Sequence, residues 1–331
     1  MATAKPAAPA YRPPLSKVFL NVPELGVTLA VVVFFVAFAL VDKRIGQIGN
    51  LHLMATEGSM VGLAAFGMSF LMIAGEIDLS AGATAGLCAV VAGMLRANLG
   101  WPELACYVTV VVLGALVGFL NSLVVLRLRM PAFFATLGAS FLLAGLSNWL
   151  LKGTWIYMLE QIPLLTKVSA PSPILGLSWL FVGLLLAYII GDLAIRFTIL
   201  GPILTAVGGN RQAAAITGIN VDLVKTLCFM FVGVCAALSG LAVVSYTYTA
   251  DPTIGDGWLL WIIAIAIIGG GSLRGGVGSI IGALLGTVLV EIIRVGLFEA
   301  NVKTNAQGIV IGAVLVGAAI LDAFRRKSAQ Y

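Results

Sequence analysis

Long apolar stretches recur ten times along this chain, and that recurrence constrains the fold more than any other feature. They run over 25–41, 53–74, 79–96, 104–126, 132–151, 174–195, 224–247, 257–270, 277–298 and 305–323. A membrane-crossing helix needs about 20 mostly apolar residues. In lipid every backbone N–H and C=O must find its partner within the chain, so helices are the form such stretches take. The expected fold class is all-α, a polytopic membrane protein of about ten transmembrane helices. The third and eighth stretches are short and rich in glycine, as half-helices or buried segments that stop short of crossing would be. Composition agrees, with 60% of the 331 residues hydrophobic and 10% charged, against about a quarter charged in a soluble domain. Ten helices use about 200 residues, which leaves no room for a soluble domain of ordinary size.

The net charge of +5 sits mostly at the ends of the stretches, so it speaks of orientation in a membrane rather than of nucleic acid. Ten crossings put both termini on one side. If that side is the cytoplasm, it holds Lys5, Arg12, Lys17, Arg127, Arg129, Arg196, Arg211, Lys225, Arg274, Arg325, Arg326 and Lys327, twelve of the 19 basic residues. That bias follows the positive-inside rule, although Lys43 and Arg44 fall on the other side. The outward loop 248–257 carries Asp251 and Asp256 and no basic residue.

The organisation expected is a cytoplasmic tail 1–24, a transmembrane domain 25–323 and a basic cytoplasmic tail 324–331. Lys5, Arg12 and Lys17 ahead of the run Leu25–Leu40, with Ala37-Phe38-Ala39 inside it, imitate a signal peptide. The polar lead is long and many apolar stretches follow, so the run is a retained first helix. Cys88, Cys106, Cys228 and Cys235 all lie in apolar segments and act as small buried residues. The single His52 and the absence of zinc-type spacing give no metal site. Gly82/Gly86, Gly114/Gly118, Gly278/Gly282, Gly282/Gly286 and Gly308/Gly312 are GxxxG pairs. Small residues let helix backbones approach closely, either within one chain or between two copies.

The longest polar interruption is 196–223, on the expected cytoplasmic side. At its centre Gly208-Gly209-Asn210 reads as a turn. Asn210 is placed to cap a short helix opening at Arg211 and running through Ala213, Ala214 and Ala215, with Gly218 to end it. Such a helix is either a docking element for a partner or part of an ordinary linker.

This segment resembles the coupling loop of ribose-type ABC permeases, the pentose and hexose branch of binding-protein-dependent importers. Three further segments are similar to that family in the same order. They are Ala74-Gly75-Glu76-Ile77-Asp78-Leu79-Ser80-Ala81-Gly82, with Glu76 where the family has glycine; Arg129-Met130-Pro131-Ala132-Phe133-Phe134-Ala135-Thr136-Leu137-Gly138; and Gly269-Gly270-Gly271-Ser272-Leu273-Arg274-Gly275-Gly276-Val277-Gly278. The resemblance covers roughly 50–322. It implies the ten-helix importer-type ABC permease fold in the bacterial inner membrane. It also implies one or two ABC ATPase subunits that bind ATP and Mg, a periplasmic substrate-binding protein and a second permease copy, identical or different. No cofactor is implied for this chain, and the ATPase contact would fall on Gly208, Gly209, Asn210, Arg211, Ala213, Ala214, Ala215 and Gly218.

Other residues carry two readings. Asp78 and Ser80 stand where either caps the third helix, the alternative being that Asp78 or Glu76 touches solute, in the pathway or at its outer mouth. The glycine run 269–278 lacks the Gly-Lys-Ser/Thr of a phosphate loop and suits a tight reversal between helices. Glu291 and Arg294, three apart on one helix, can pair locally. Glu57 has no evident local partner, which marks it as a pathway candidate. Trp155, Tyr157, Tyr246, Tyr248 and Trp258 are either an interfacial aromatic belt or the outer mouth of the pathway.

Three functions compete. An ABC permease for a monosaccharide or similar small polar solute accounts for the 206–219 helix, which is superfluous without an ATPase. An ion-coupled secondary transporter also uses broken helices and embedded carboxylates. An intramembrane enzyme finds no HExxH or GxSxG motif to support it.

Overall fold

Nine of the ten apolar stretches fall largely within the residues that the computed structural model describes, and each contains a helix. Those residues are 23–158 and 161–300, with 302, 309–310, 312–313 and 316–317 beyond them. Residues 1–22, the C-terminal tail 324–331, Gly308 of the Gly308/Gly312 pair and most of the stretch 305–323 lie outside the described residues. The helices are α1 (Pro23–Val41), α2 (Ile48–Ile73), α3 (Ala81–Gly93), α4 (Glu103–Leu126), α5 (Ala132–Leu151), α6 (Trp179–Phe197), α7 (Leu200–Gly209), α8 (Arg211–Ile216), α9 (Val221–Thr247), α10 (Trp258–Ile268) and α11 (Ile280–Glu299). Seven of them, α1, α2, α4, α5, α6, α9 and α11, are long and apolar enough to cross a bilayer.

The third and eighth stretches are the short ones. α3 has 13 residues and runs on into a π-helical turn, Met94–Asn98, while α10 has 11. Each is preceded by coil, 74–80 before α3 and 251–257 before α10. Irregular backbone at membrane depth is tolerated only where protein covers it or a cavity solvates it. Protein covers the coil 74–80, where no residue is exposed, whereas Thr253, Asp256 and Gly257 of the second coil are exposed. α3 is buried on nearly every side, and it packs between α4, α5 and α9.

The helices sort into a centre and a rim. α2, α9 and α11 are buried over most of their length, whereas α1 and α5 turn most of their surface outward. Exposed Phe133, Phe134, Phe141, Leu142, Leu146 and Trp149 on α5 form the apolar coat that lipid requires. At the centre Phe66, Phe70, Tyr188 and Phe231 interlock with ring centroids 4.9–5.6 Å apart. The Tyr188 hydroxyl, fully buried, donates to the Gly62 carbonyl at 3.0 Å.

The GxxxG pairs work within the chain. Gly114 and Gly118 lie on the backbone of Gly233 and Phe229, which brings α4 against α9. Gly282 and Gly286 lie on the carbonyls of Gly269 and Ile265, folding α11 back along α10. Without apolar exclusion to drive them together, helices in lipid gain most from such close backbone approach. All four cysteines are buried and free.

The two ends of the bundle differ. At one, a two-stranded antiparallel ribbon pairs β1 (Ile156–Tyr157) with β2 (Thr249–Ala250). At the other stands the short helix α8. From Ala250 beside Gly93 to Gly255 beside Gly82, the coil 251–257 descends along α3, about 16 Å at 1.5 Å per residue. That is about half of a 30 Å hydrocarbon layer.

Candidate functional site

At the α8 end the 196–223 segment is more helical than a turn at Gly208-Gly209 implies. α7 continues through both glycines, and the chain turns only at Asn210, with φ −154° and ψ 102°. Gly208 is small for a packing reason. A Cβ there would lie 1.9 Å from the Ile73 carbonyl oxygen and 2.5 Å from the Gly276 nitrogen. The Asn210 side chain accepts from the Ala213 N–H at 3.0 Å and so caps α8, as its residue type suggests. Gly218, at φ +90°, closes the helix, and its N–H donates to the Ala215 carbonyl.

The face that α8 offers outward is not the whole alanine run. Ala214 is 3% exposed and belongs to the chain's own core. Ala213, Ala215, Gln212 and Ile216 are exposed, Ile216 at 87%. Because 100° separates successive residues on a helix, the position facing inward is flanked by two that face out. Of the residues expected from sequence to make the ATPase contact, Ala214 thus faces the chain's own core, while Ile216, outside that set, faces outward. Its signal was available in the sequence, as a lone large apolar residue after three alanines.

Around α8 two coils and the end of α7 meet through glycine. Gly275 approaches the Gly75 Cα and Gly276 the Gly209 Cα, while the Gly276 N–H donates to the Ile73 carbonyl at 2.9 Å. The run 269–279 is thus a close reversal between α10 and α11, with Gly270, Gly275 and Gly276 at positive φ. Lys225 on α9 reaches Glu76 in the 74–80 coil at 2.6 Å. Two residues on, Asp78 is 2% exposed. Its carboxylate accepts from the Ser80 N–H at 2.8 Å and the Ser80 hydroxyl at 2.6 Å, and Asn121 donates to it and to Ser80. Neither Asp78 nor Ser80 caps the α3 amides through its side chain. Asp78 instead knots the break to α4, buried in the coil that leaves the α8 end.

Toward the ribbon end lies a charged cluster that sequence spacing reveals only in part. Glu291 and Arg294 pair along α11 at 2.6 Å. Arg294 also pairs with Glu57 on α2, so Glu57 has a partner, supplied from another helix where local spacing cannot show it. Tyr246, at the end of α9, stands in the field of Glu57 and Arg294. Tyr248 ends α9 in the left-handed region, φ 57°, and its carbonyl accepts from Met158. Trp155 and Tyr157 are exposed beside the ribbon. Trp258 is different: it opens α10 and packs against Met60, Leu180, Ala242 and Val243. It is half-buried.

A family model described as branched-chain amino acid transport system, permease component, matches residues 50–319. The chain belongs to that permease family. Autoinducer 2 import system permease protein LsrC of Yersinia pseudotuberculosis serotype O:3 (strain YPIII) is 32% identical over 300 residues, 89% of this chain and 83% of the relative. The protein of the same name from Photorhabdus luminescens is 32% identical over 312 residues, 92% of this chain and 91% of the relative. No solved structure matches the chain. The chain is a sugar-type ABC importer permease of the inner membrane, with several spans.

Proposed function

We propose that this permease forms the translocation pathway for a monosaccharide or similar small polar solute, delivered by a periplasmic binding protein and driven by a separate ATPase that holds ATP and Mg. Relatives named for the import of autoinducer 2 support an importer of a small solute. The observation that carries the coupling part is α8, a capped helix outside the long spans with Ile216, Ala213 and Ala215 turned outward. An apolar residue 87% exposed beside two small ones suits insertion into a groove of the ATPase. The α8 end then faces the cytoplasm with both termini, the chain crosses ten times, and a second copy completes the pathway. The outer mouth is formed toward the ribbon end, with Glu57, Tyr246 and Tyr248. Nothing in the family match or the relatives favours ion-coupled secondary transport.

Ile216→Glu and Ala215→Glu test the docking. Each places a charge where the groove closes, so the ATPase should no longer co-purify and transport should stop, while the chain still reaches the membrane. Co-purification at the parent ratio with both variants refutes the docking role of α8. A solute screen on the partner binding protein identifies the cargo.

A further inference from the structure

We propose that the Glu76–Lys225 ion pair is the positioning contact through which α8 moves the broken span that begins at α3. This rests on the docking of α8 argued above. Lys225 stands in the first turns of α9 and is 7% exposed; Glu76, in the 74–80 coil, is 17% exposed, and the two meet at 2.6 Å. α8 is tied to the start of α9 by Arg211–Asp222 at 2.7 Å, and the Ile219 N–H returns to the Ala214 carbonyl. A shift of α8 therefore carries the first turns of α9 with it. On the far side of the pair, Asp78 holds the Ser80 N–H and hydroxyl, and α3 opens at Ala81. Three short charged contacts thus run in series from the helix facing the ATPase to the start of the half-helix.

Stability gives no reason for the pair. Desolvating two charges offsets most of what their attraction gains, and apolar residues of the same size often hold a fold as well or better. Geometry gives another reason. A cleft of about 490 Å³ opens beside Glu76, lined by Arg129 and Arg211 among others. Glu76 thus shares open space with two guanidinium groups, and a displaced α8 can present one of them in place of Lys225. The glycine contacts of Gly208, Gly75 and Gly275 pin the other edge of the coil. The coil is left to follow the pair.

The test uses the assembled complex in lipid bilayers, with its ATPase and binding protein. Glu76→Gln, Lys225→Gln and the exchange Glu76→Lys/Lys225→Glu are compared for ATPase co-purification and for stimulation of ATP hydrolysis by the loaded binding protein. The single variants should keep the parent co-purification ratio and lose stimulation about fivefold or more. The exchange should recover at least half of it. Single variants that respond like the parent overturn the proposal, as does an exchange that recovers nothing. If the single variants fail to accumulate and the exchange restores accumulation without stimulation, the pair is a folding contact and the proposal fails. Failure of the docking reading shows separately, because Ile216→Glu would then leave the ATPase bound.

Discussion

The two ends of this bundle are held together by different chemistry. At the α8 end backbone meets backbone: Gly208 on Ile73 and Gly276, Gly275 on Gly75. No side chain stands between these segments to bend or change rotamer. At the ribbon end long side chains bridge irregular loops. Glu103 accepts from the Leu164 and Leu165 N–H groups at 3.0 and 2.8 Å, and Arg96 donates to the carbonyls of Gln161 and Trp101 at 2.5 and 2.9 Å. A backbone junction holds its segments as one body, because close-packed interiors do not deform smoothly, and the ion pairs Arg211–Asp222 and Glu76–Lys225 tie α8 and α9 to it. A side-chain bridge can follow a change of shape and stay bonded. The first suits an end that receives force, the second an end that meets a delivered solute.

The charged cluster on the ribbon side is the strongest challenge to that contrast. Arg294→Leu leaves Glu57 and Glu291 without their cation, in the class of change that costs about 3–5 kcal/mol. Thermal unfolding of the purified permease in detergent should show the largest fall of any variant named here. A fall smaller than that of Gly208→Ala would mean that Glu57 finds water or another cation, and that this end is more open than its distances suggest.

Gly208→Ala comes next. Its methyl would meet a carbonyl oxygen 1.9 Å away, so backbone must shift, at about 1–3 kcal/mol or somewhat more. Gly209→Ala, one residue on, has nothing within 4 Å of its new methyl and should change stability by less than about 0.5 kcal/mol. Equal melting of the two variants would remove the backbone-junction account of the α8 end.

Glu103→Gln is milder. The amide oxygen can still accept from Leu164 and Leu165, so only the charge assistance goes, at about 1 kcal/mol. A loss above that of Gly208→Ala would show the ribbon end to be the stiffer of the two.

The sequence made the spans legible because lipid enforces one rule everywhere, apolar side chains on hydrogen-bonded helices. The short third and eighth stretches were visible for the same reason, since neither has the residues to cross as a helix. The cap at Asn210 and the stop at Gly218 are local chemistry and could be read directly. What the sequence concealed was anything made by two distant segments. Glu57 meets Arg294 across 237 positions, and Lys225 meets Glu76 across 149. Facing was hidden too. A six-residue helix gives too few turns to tell which alanine points inward, so nothing local sets Ala214 apart from its neighbours.

The smallest effect concerns Asp42, in the turn that joins α1 to α2 at the ribbon end. Hydrogen bonds from Arg44, side chain first and backbone second, lower its pKa. Its contribution is present above the unfolded pKa and lost as pH falls through the folded one, so Asp42→Asn should melt slightly below the parent at neutral pH and converge with it in acid. The Arg44 partner is exposed, so salt screens much of the effect. Melts in detergent from pH 3 to pH 7 at low salt test the sign; a deficit that persists in acid would mean that this turn rearranges when the charge is removed, a compliance the α8 end should not share.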